Sequence, residues 1–243
     1  AVSLGNRWRV YAPVLDTLRS RTDWGLGSAD PENPVRRFVR YFASLAFTIG
    51  VDPSGRHAAQ WRERSQLEQA SFRHAMKLAQ RANDRDAAAM LMVPQVGGLL
   101  RLGRGEEASR LLGDYLNQLP DGRIEPEAEA VVCIAQARVL SWISDHAKAG
   151  ELLARAGRVA AKSKDRLFRG LVAVAEAEHL LVAKRVPQAA ERLDYATFMF
   201  QRSGDAARMD MLEVARGRLL VAQGKVAEAA ANLLPAAERL RKA

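Results

Sequence analysis

The stretch from Leu99 to Pro120, LLRLGRGEEASRLLGDYLNQLP, decides the fold, because its landmarks return at a fixed interval. Ala108 is followed by Ala149, Ala189 and Ala229, at steps of 41, 40 and 40 residues. Leu112, Leu153, Leu193 and Leu233 stand four residues after each alanine, and Leu99, Leu140, Leu180 and Leu220 stand nine before it. A period in this range marks stacked units, none of which can bury its apolar face alone. Working outward from this stretch, the pattern from residue 84 onward is helix, short turn, helix, four times over. First helices are expected near 86–102, 126–143, 166–183 and 206–223, and second helices near 105–119, 146–162, 187–203 and 226–242. Apolar residues recur at three and four, as in Val172, Ala175, Leu180 and Leu181, giving the wide buried face of a helix held between neighbours.

Punctuation agrees with these bounds. Asp84, Asp165 and Asp205 stand where a carboxylate can accept orphan amides at a helix start. Pro126 and Pro187 fall at expected first turns, where a missing N–H has no intrahelical partner to lose. Pro94 and Pro235 lie inside expected helices and predict kinks. Upstream the register weakens, since Glu68 occupies the place of the signature alanine while Phe72 and Ala75 keep the spacing. Residues 56–82 read as the second helix of a degenerate unit, with 34–49 as its partner. A first helix is expected near 6–21, followed by a loop rich in turn residues over 25–31. The domain expectation is therefore 1–83 as N-terminal helices with a degenerate repeat or cap, continuous with four helix-pair repeats over 84–243.

Leu99, Gly103, Glu107-Ala108, Leu112 and Pro120 resemble a tetratricopeptide repeat: a packed first helix, a glycine turn, an acidic-alanine pair and a closing proline. Leu220, Gly224, Glu228-Ala229, Leu233 and Ala236 resemble it again. The middle units carry Ser144 and Lys184 where the turn glycine belongs, and Ala137, Ala177 and Gly217 match the family's small position. The period near 40 exceeds the common 34, so this is a long-helix variant. The resemblance implies an all-α, right-handed superhelical solenoid of antiparallel helix pairs (TPR-like). It further implies that the first helices line a concave groove that contacts a bound segment. Carried onto this chain, the groove residues are Val93, Leu100 and Arg101; Ile134, Arg138 and Trp142; Glu178 and Leu181; and Arg218 and Val221. Gly97, Ser141, Val174, Val182, Val214 and Ala222 complete the strip. Such a surface suits a helix or extended peptide, with Arg101, Arg138 and Arg218 pairing to the partner's carboxylates. The competing expectation is that these side chains pack between units or face the N-terminal helices. The lysines and asparagines of the family's chaperone-binding clamp are replaced here mostly by apolar residues or arginine, which argues against that role.

Chemistry is sparse. Gly103-Arg104-Gly105-Glu106-Glu107-Ala108 fits the G-x-G-x-x-A fingerprint, but a dinucleotide site needs a strand before it and a parallel sheet around it. The equivalent place in the other repeats holds a helix–helix turn. Glu176 and His179 form half of a di-iron signature, and none of His57, His74 or His146 has a glutamate three residues earlier to supply the other half. They are expected in surface or packing roles. Cys133, the single cysteine, reads as a small buried hydrophobe. No catalytic constellation, metal site or cofactor is expected, and the chain reads as no enzyme.

The net charge of +9 invites nucleic-acid binding. Against it, only seven of the 37 basic residues are lysine and the arginines are scattered, a composition that GC-rich bacterial genomes also produce. The longest apolar run, Phe38 to Ile49, contains Arg40 and falls short of a bilayer span, so no membrane insertion is expected. The leading expectation is a scaffold or regulatory adaptor in the bacterial cytoplasm that binds a protein or peptide with acidic side chains. A signal removed ahead of Ala1 is the other reading of location. The alternatives are a ligand- or peptide-sensing segment of a larger bacterial transcription regulator, and arginine-mediated nucleic-acid binding. Self-association is open, since solenoid ends and grooves can dock.

Overall fold

The computed structural model describes residues 2–4, 7–9, 33–51, 63, 66–118, 125–203 and 206–242. Ten α-helices are named within them: α1 Pro34–Val51, α2 Gln69–Arg81, α3 Arg85–Arg101, α4 Gly105–Gln118 and α5 Pro126–Trp142. The chain continues with α6 His146–Lys162, α7 Arg166–Val182, α8 Val186–Ser203, α9 Ala206–Ala222 and α10 Val226–Lys242. From α3 onward each helix lies within a residue or so of its expected bounds. The helix expected near 6–21 is corrected over residues 7–9, the part of it that is described. Val2–Leu4 (β1) and Arg7–Arg9 (β2) form a small antiparallel hairpin pairing Val2 with Arg9 and Leu4 with Arg7. Its signal lay in Gly5-Asn6, a turn-prone dipeptide between two short runs; residues 10–32 lie outside the described residues.

One device ends the helices before each short turn. The N–H groups of Arg104, Asp145, Arg185 and Lys225 donate back to the carbonyls of Leu99, Leu140, Leu180 and Leu220, at 2.8–2.9 Å. The preceding residues, Gly103, Ser144, Lys184 and Gly224, take φ between 59° and 78°. This is the six-to-one closure that satisfies orphan carbonyls through a left-handed residue. The repeat leucines therefore mark the last turn of each first helix as well as a packing position. Asn83 adopts the same conformation before α3, with Asp84 donating to the Ala79 carbonyl at 2.9 Å.

Helix starts follow the expected chemistry. Asp84 accepts from Ala87 N–H, and Asp165 accepts from Leu167 and Phe168 N–H. Asp145 caps α6 in the same way through Lys148 N–H. Asp205 lies outside the described residues. Pro126 opens α5, whereas α3 and α10 run on through Pro94 and Pro235.

The helices sort into two layers. Contacts run α1–α3–α5–α7–α9 through the first, and α2, α4, α6, α8 and α10 pack against it from one side. Ser163 at the end of α6 donates to Glu127, and Arg155 of α6 donates to Glu129, tying α6 to α5. Ala108, Ala149, Ala189 and Ala229 are all buried, the last at 2% exposure, which is why the alanine row could not drift. A single apolar core reaches from Val39 to Ala175, and a second, centred on Leu171, Leu193, Phe200 and Leu212, continues it toward α9. The core thus crosses residue 84, joining the N-terminal helices to the repeats. Cys133 is fully buried, and burial pushes its thiol up to about 11, so it is held as an inert thiol. Among the described residues no helix is long and apolar enough to cross a membrane.

Candidate partner-binding face

The residues expected to line a groove divide into three groups. Ile134 is corrected: at 3% exposure it belongs to the core, as does Val174 at 2%. The reason is the crowding of α5, on which α1, α3, α4, α6 and α7 all pack, so that a helix apolar nearly all round has little free face. Helix α1 is responsible for part of this, since it reaches past α3 to α5, and its Phe47 packs against the second core around α7–α9. Val93 and Leu100 are half-buried against the first core. These positions follow the competing expectation of packing between units and N-terminal helices. The side chain of Arg101 lies outside the described residues.

The second group forms a ladder. Arg138 of α5, Glu178 of α7 and Arg218 of α9 stand 40 residues apart and meet across three first-layer helices. Arg218 Nη1 donates to Glu178 Oε1 at 2.8 Å, and Arg138 Nη2 lies 3.7 Å from Glu178 Oε2. One carboxylate thus serves two guanidinium groups. Arg138 and Arg218 were expected to await a partner's carboxylates; the fold supplies one of its own.

The third group stays open to solvent. Val221 and Val182 are exposed beside the ladder, and Leu181 is half-buried. Trp142 is exposed yet has structural work, because its ring covers Gly105 at the start of α4: a Cβ there would fall 2.8 Å from Cε3 and Cζ3. That contact explains the second glycine of the G-x-G-x-x-A segment, which the structure places in a helix–helix turn. The first, Gly103, supplies the positive φ.

A further polar row went unnoticed in the sequence although its 40-residue spacing was there to read. Gln136, Glu176 and Arg216 project from α5, α7 and α9 toward the second layer. Gln136 Nε2 donates to Ser109 O and Oγ at 3.0 and 3.1 Å. Arg216 Nη2 donates to Asp194 and Thr197, each at 2.9 Å. Glu176 sits against Gly157 with Arg192 Nε 3.3 Å away. Burial, only partly offset by Arg192, raises the Glu176 carboxyl above its ordinary value. His179, one turn further along α7, is driven below its ordinary value by burial, then by His146 and Arg185. No group of three or more His, Cys, Asp or Glu able to hold a metal exists among the described residues.

The described residues are thus helical apart from the short strand pair Val2–Leu4 and Arg7–Arg9. No protein-family model and no curated protein matches the sequence. Among solved structures it is similar to BtubC (BKLC) from P. vanneervenii, with a TM-score of 0.55 and 16% identity over 86% of this chain and 88% of that one. A likeness at that identity establishes shared fold alone.

Proposed function

We propose that this chain is a right-handed TPR-like solenoid of antiparallel helix pairs that works as a non-catalytic scaffold or adaptor. Its first-layer face takes a peptide or helix bearing acidic and apolar side chains. The single observation that carries this reading is the ladder Arg138–Glu178–Arg218 flanked by Leu181, Val182 and Val221. The Arg218 side chain is 58% exposed and presents its guanidinium fork at the surface, and such forks favour carboxylates. The apolar neighbours supply the contact area that charge alone does not. The part of the face occupied by α1 is excluded, so the site lies toward α7 and α9.

Selection of displayed random peptides against the chain tests this. Enriched peptides carry Asp or Glu beside apolar residues, and the double reversal Arg138→Glu/Arg218→Glu loses them. Enrichment without acidic residues, or undiminished binding to the reversed chain, rejects the face. The net charge of +9 favours one rival, nucleic-acid binding through arginine. It demands affinity falling steeply with salt, and absence of binding at about 50 mM salt removes it.

A further inference from the structure

The Glu-x-x-His step on α7, which the proposed function leaves unused, acquires a neighbour in the fold. His146, the first residue of α6, lies with its ring centroid 6.5 Å from that of His179. The Nδ1 atoms of both are buried and have no hydrogen-bond partner among the described residues. Gly150 on α6 opposes the His179 ring, where a Cβ would stand 3.2 Å from Nε2, and Gly157 opposes Glu176 one turn earlier. Two glycines seven residues apart on α6 therefore receive two ionisable side chains three apart on α7. The notch opens into a cleft of about 590 Å³ bounded by α6, α7 and α8.

We propose that this α6–α7 contact is an acid-sensitive joint, which loosens when His146 and His179 take up protons. A neutral imidazole can leave one ring nitrogen bare, whereas the cation must donate from both. Protonation here creates two buried N–H donors with nothing to receive them, and a buried unmet donor is costly. It also sets two like charges 6.5 Å apart, where partial burial weakens solvent screening.

The surrounding groups do not cancel this charge. Arg185, in the turn before α8, adds a third cation on the same cleft. Glu176, three residues before His179 and on the same cleft, is already engaged by Arg192 of α8. Of the remaining titratable groups on the cleft, Glu191 and Tyr195 belong to α8 and are half-buried or exposed. At the start of α6, Asp145 is held by Lys148 at 2.9 Å, and its attraction to His146 is the weakest of its interactions. From α5 and α9, Arg138 and Arg218 reach Glu178 on the adjoining side of α7. The direction in which burial, His146 and Arg185 move His179 agrees with this geometry.

Hydrogen exchange on the whole chain, corrected for intrinsic rates, tests the joint between about pH 7.5 and about pH 5.5, the range in which imidazole charges. Amides of 146–182 accelerate several-fold on acidification while those of 206–222 do not, and His146→Gln/His179→Gln abolishes the difference. His74→Gln, which removes an imidazole lodged against Phe38, leaves it intact. Should the double variant fold poorly, proton NMR titration of the wild-type His179 imidazole decides alone, with a midpoint below the ordinary 6.5 or so. Uniform acceleration along the chain, equal acceleration in wild type and double variant, or a His179 midpoint at or above that ordinary value each overturn the proposal.

Discussion

Glu178 and Arg218 lie 40 residues apart in the chain and 2.8 Å apart in space, so that an ion pair ties α7 to α9. The arginine side chain is 58% exposed, and solvent screens the pair strongly. A double-mutant cycle on Glu178→Gln and Arg218→Gln should give a coupling of about 0.5 kcal/mol in low salt. At about 1 M salt, where the Debye length is about 3 Å, it should vanish. A coupling that ignores salt would mean the pair is buried more deeply than its exposure indicates.

Ser144 and Lys184 hold φ of 68° and 59° at turns where Gly103 and Gly224 hold 73° and 78°. A side chain in the left-handed region crowds its own carbonyl, whereas glycine does not. Part of that advantage returns as the extra freedom of glycine in the unfolded chain. Ser144→Gly and Lys184→Gly should each stabilise by about 1 kcal/mol in urea unfolding. Gly224→Ala should cost a similar amount. No gain at either position would show that the turn relaxes around its side chain.

Gly170 of α7 packs on the ring of Phe200 of α8, and a Cβ there would stand 2.6 Å from Cδ1. Both residues are buried, Phe200 at 1% exposure, so the overlap cannot be relieved toward solvent. Gly170→Ala should destabilise by about 1–3 kcal/mol. Phe200→Ala alone should cost about 3–5 kcal/mol through the cavity it leaves. Together they should cost less than their sum, because each relieves the fault of the other.

Glu176 is raised by burial, so the folded chain holds its proton more tightly than the unfolded one does. The carboxyl therefore favours folding fully below its unfolded value near 4.5, and that contribution is lost as pH rises through the higher folded value. At neutral pH the ionised group opposes folding. Glu176→Gln should thus stabilise the chain at pH 7, with a gain that shrinks on acidification toward the unfolded value. Thermal melts across that range check it, and a loss of stability at pH 7 would mean Arg192 outweighs desolvation.

Much of the helical pattern was legible because its causes are local. Alanine and leucine rows, Asp84 and Asp165 before helix starts, and Pro126 at a first turn act within a few residues of themselves. The expected bounds of α3 to α10 consequently agree closely with those observed. The pairing of Val2–Leu4 with Arg7–Arg9 is not carried by a 3.6-residue period, and its sequence signal is the dipeptide Gly5-Asn6 between two short runs. The candidate face was legible in part: Arg138, Glu178 and Arg218 were singled out, but as three separate groups awaiting a ligand. Their mutual pairing depends on the offset between neighbouring first-layer helices, which no single helix encodes.

From residue 84 onward, periodicity with its capping and proline punctuation determined where each helix would begin and stop and that the alanine row would be enclosed. Only the tertiary structure decided what α1 covers, that Ile134 is interior, that Trp142 lies on Gly105, and that His146 meets His179. The physical reason is range. Caps, turns and amphipathic faces are set by hydrogen bonds and side chains within about one helical turn. Burial and charge pairing between repeats are instead set by how one helix lies across another.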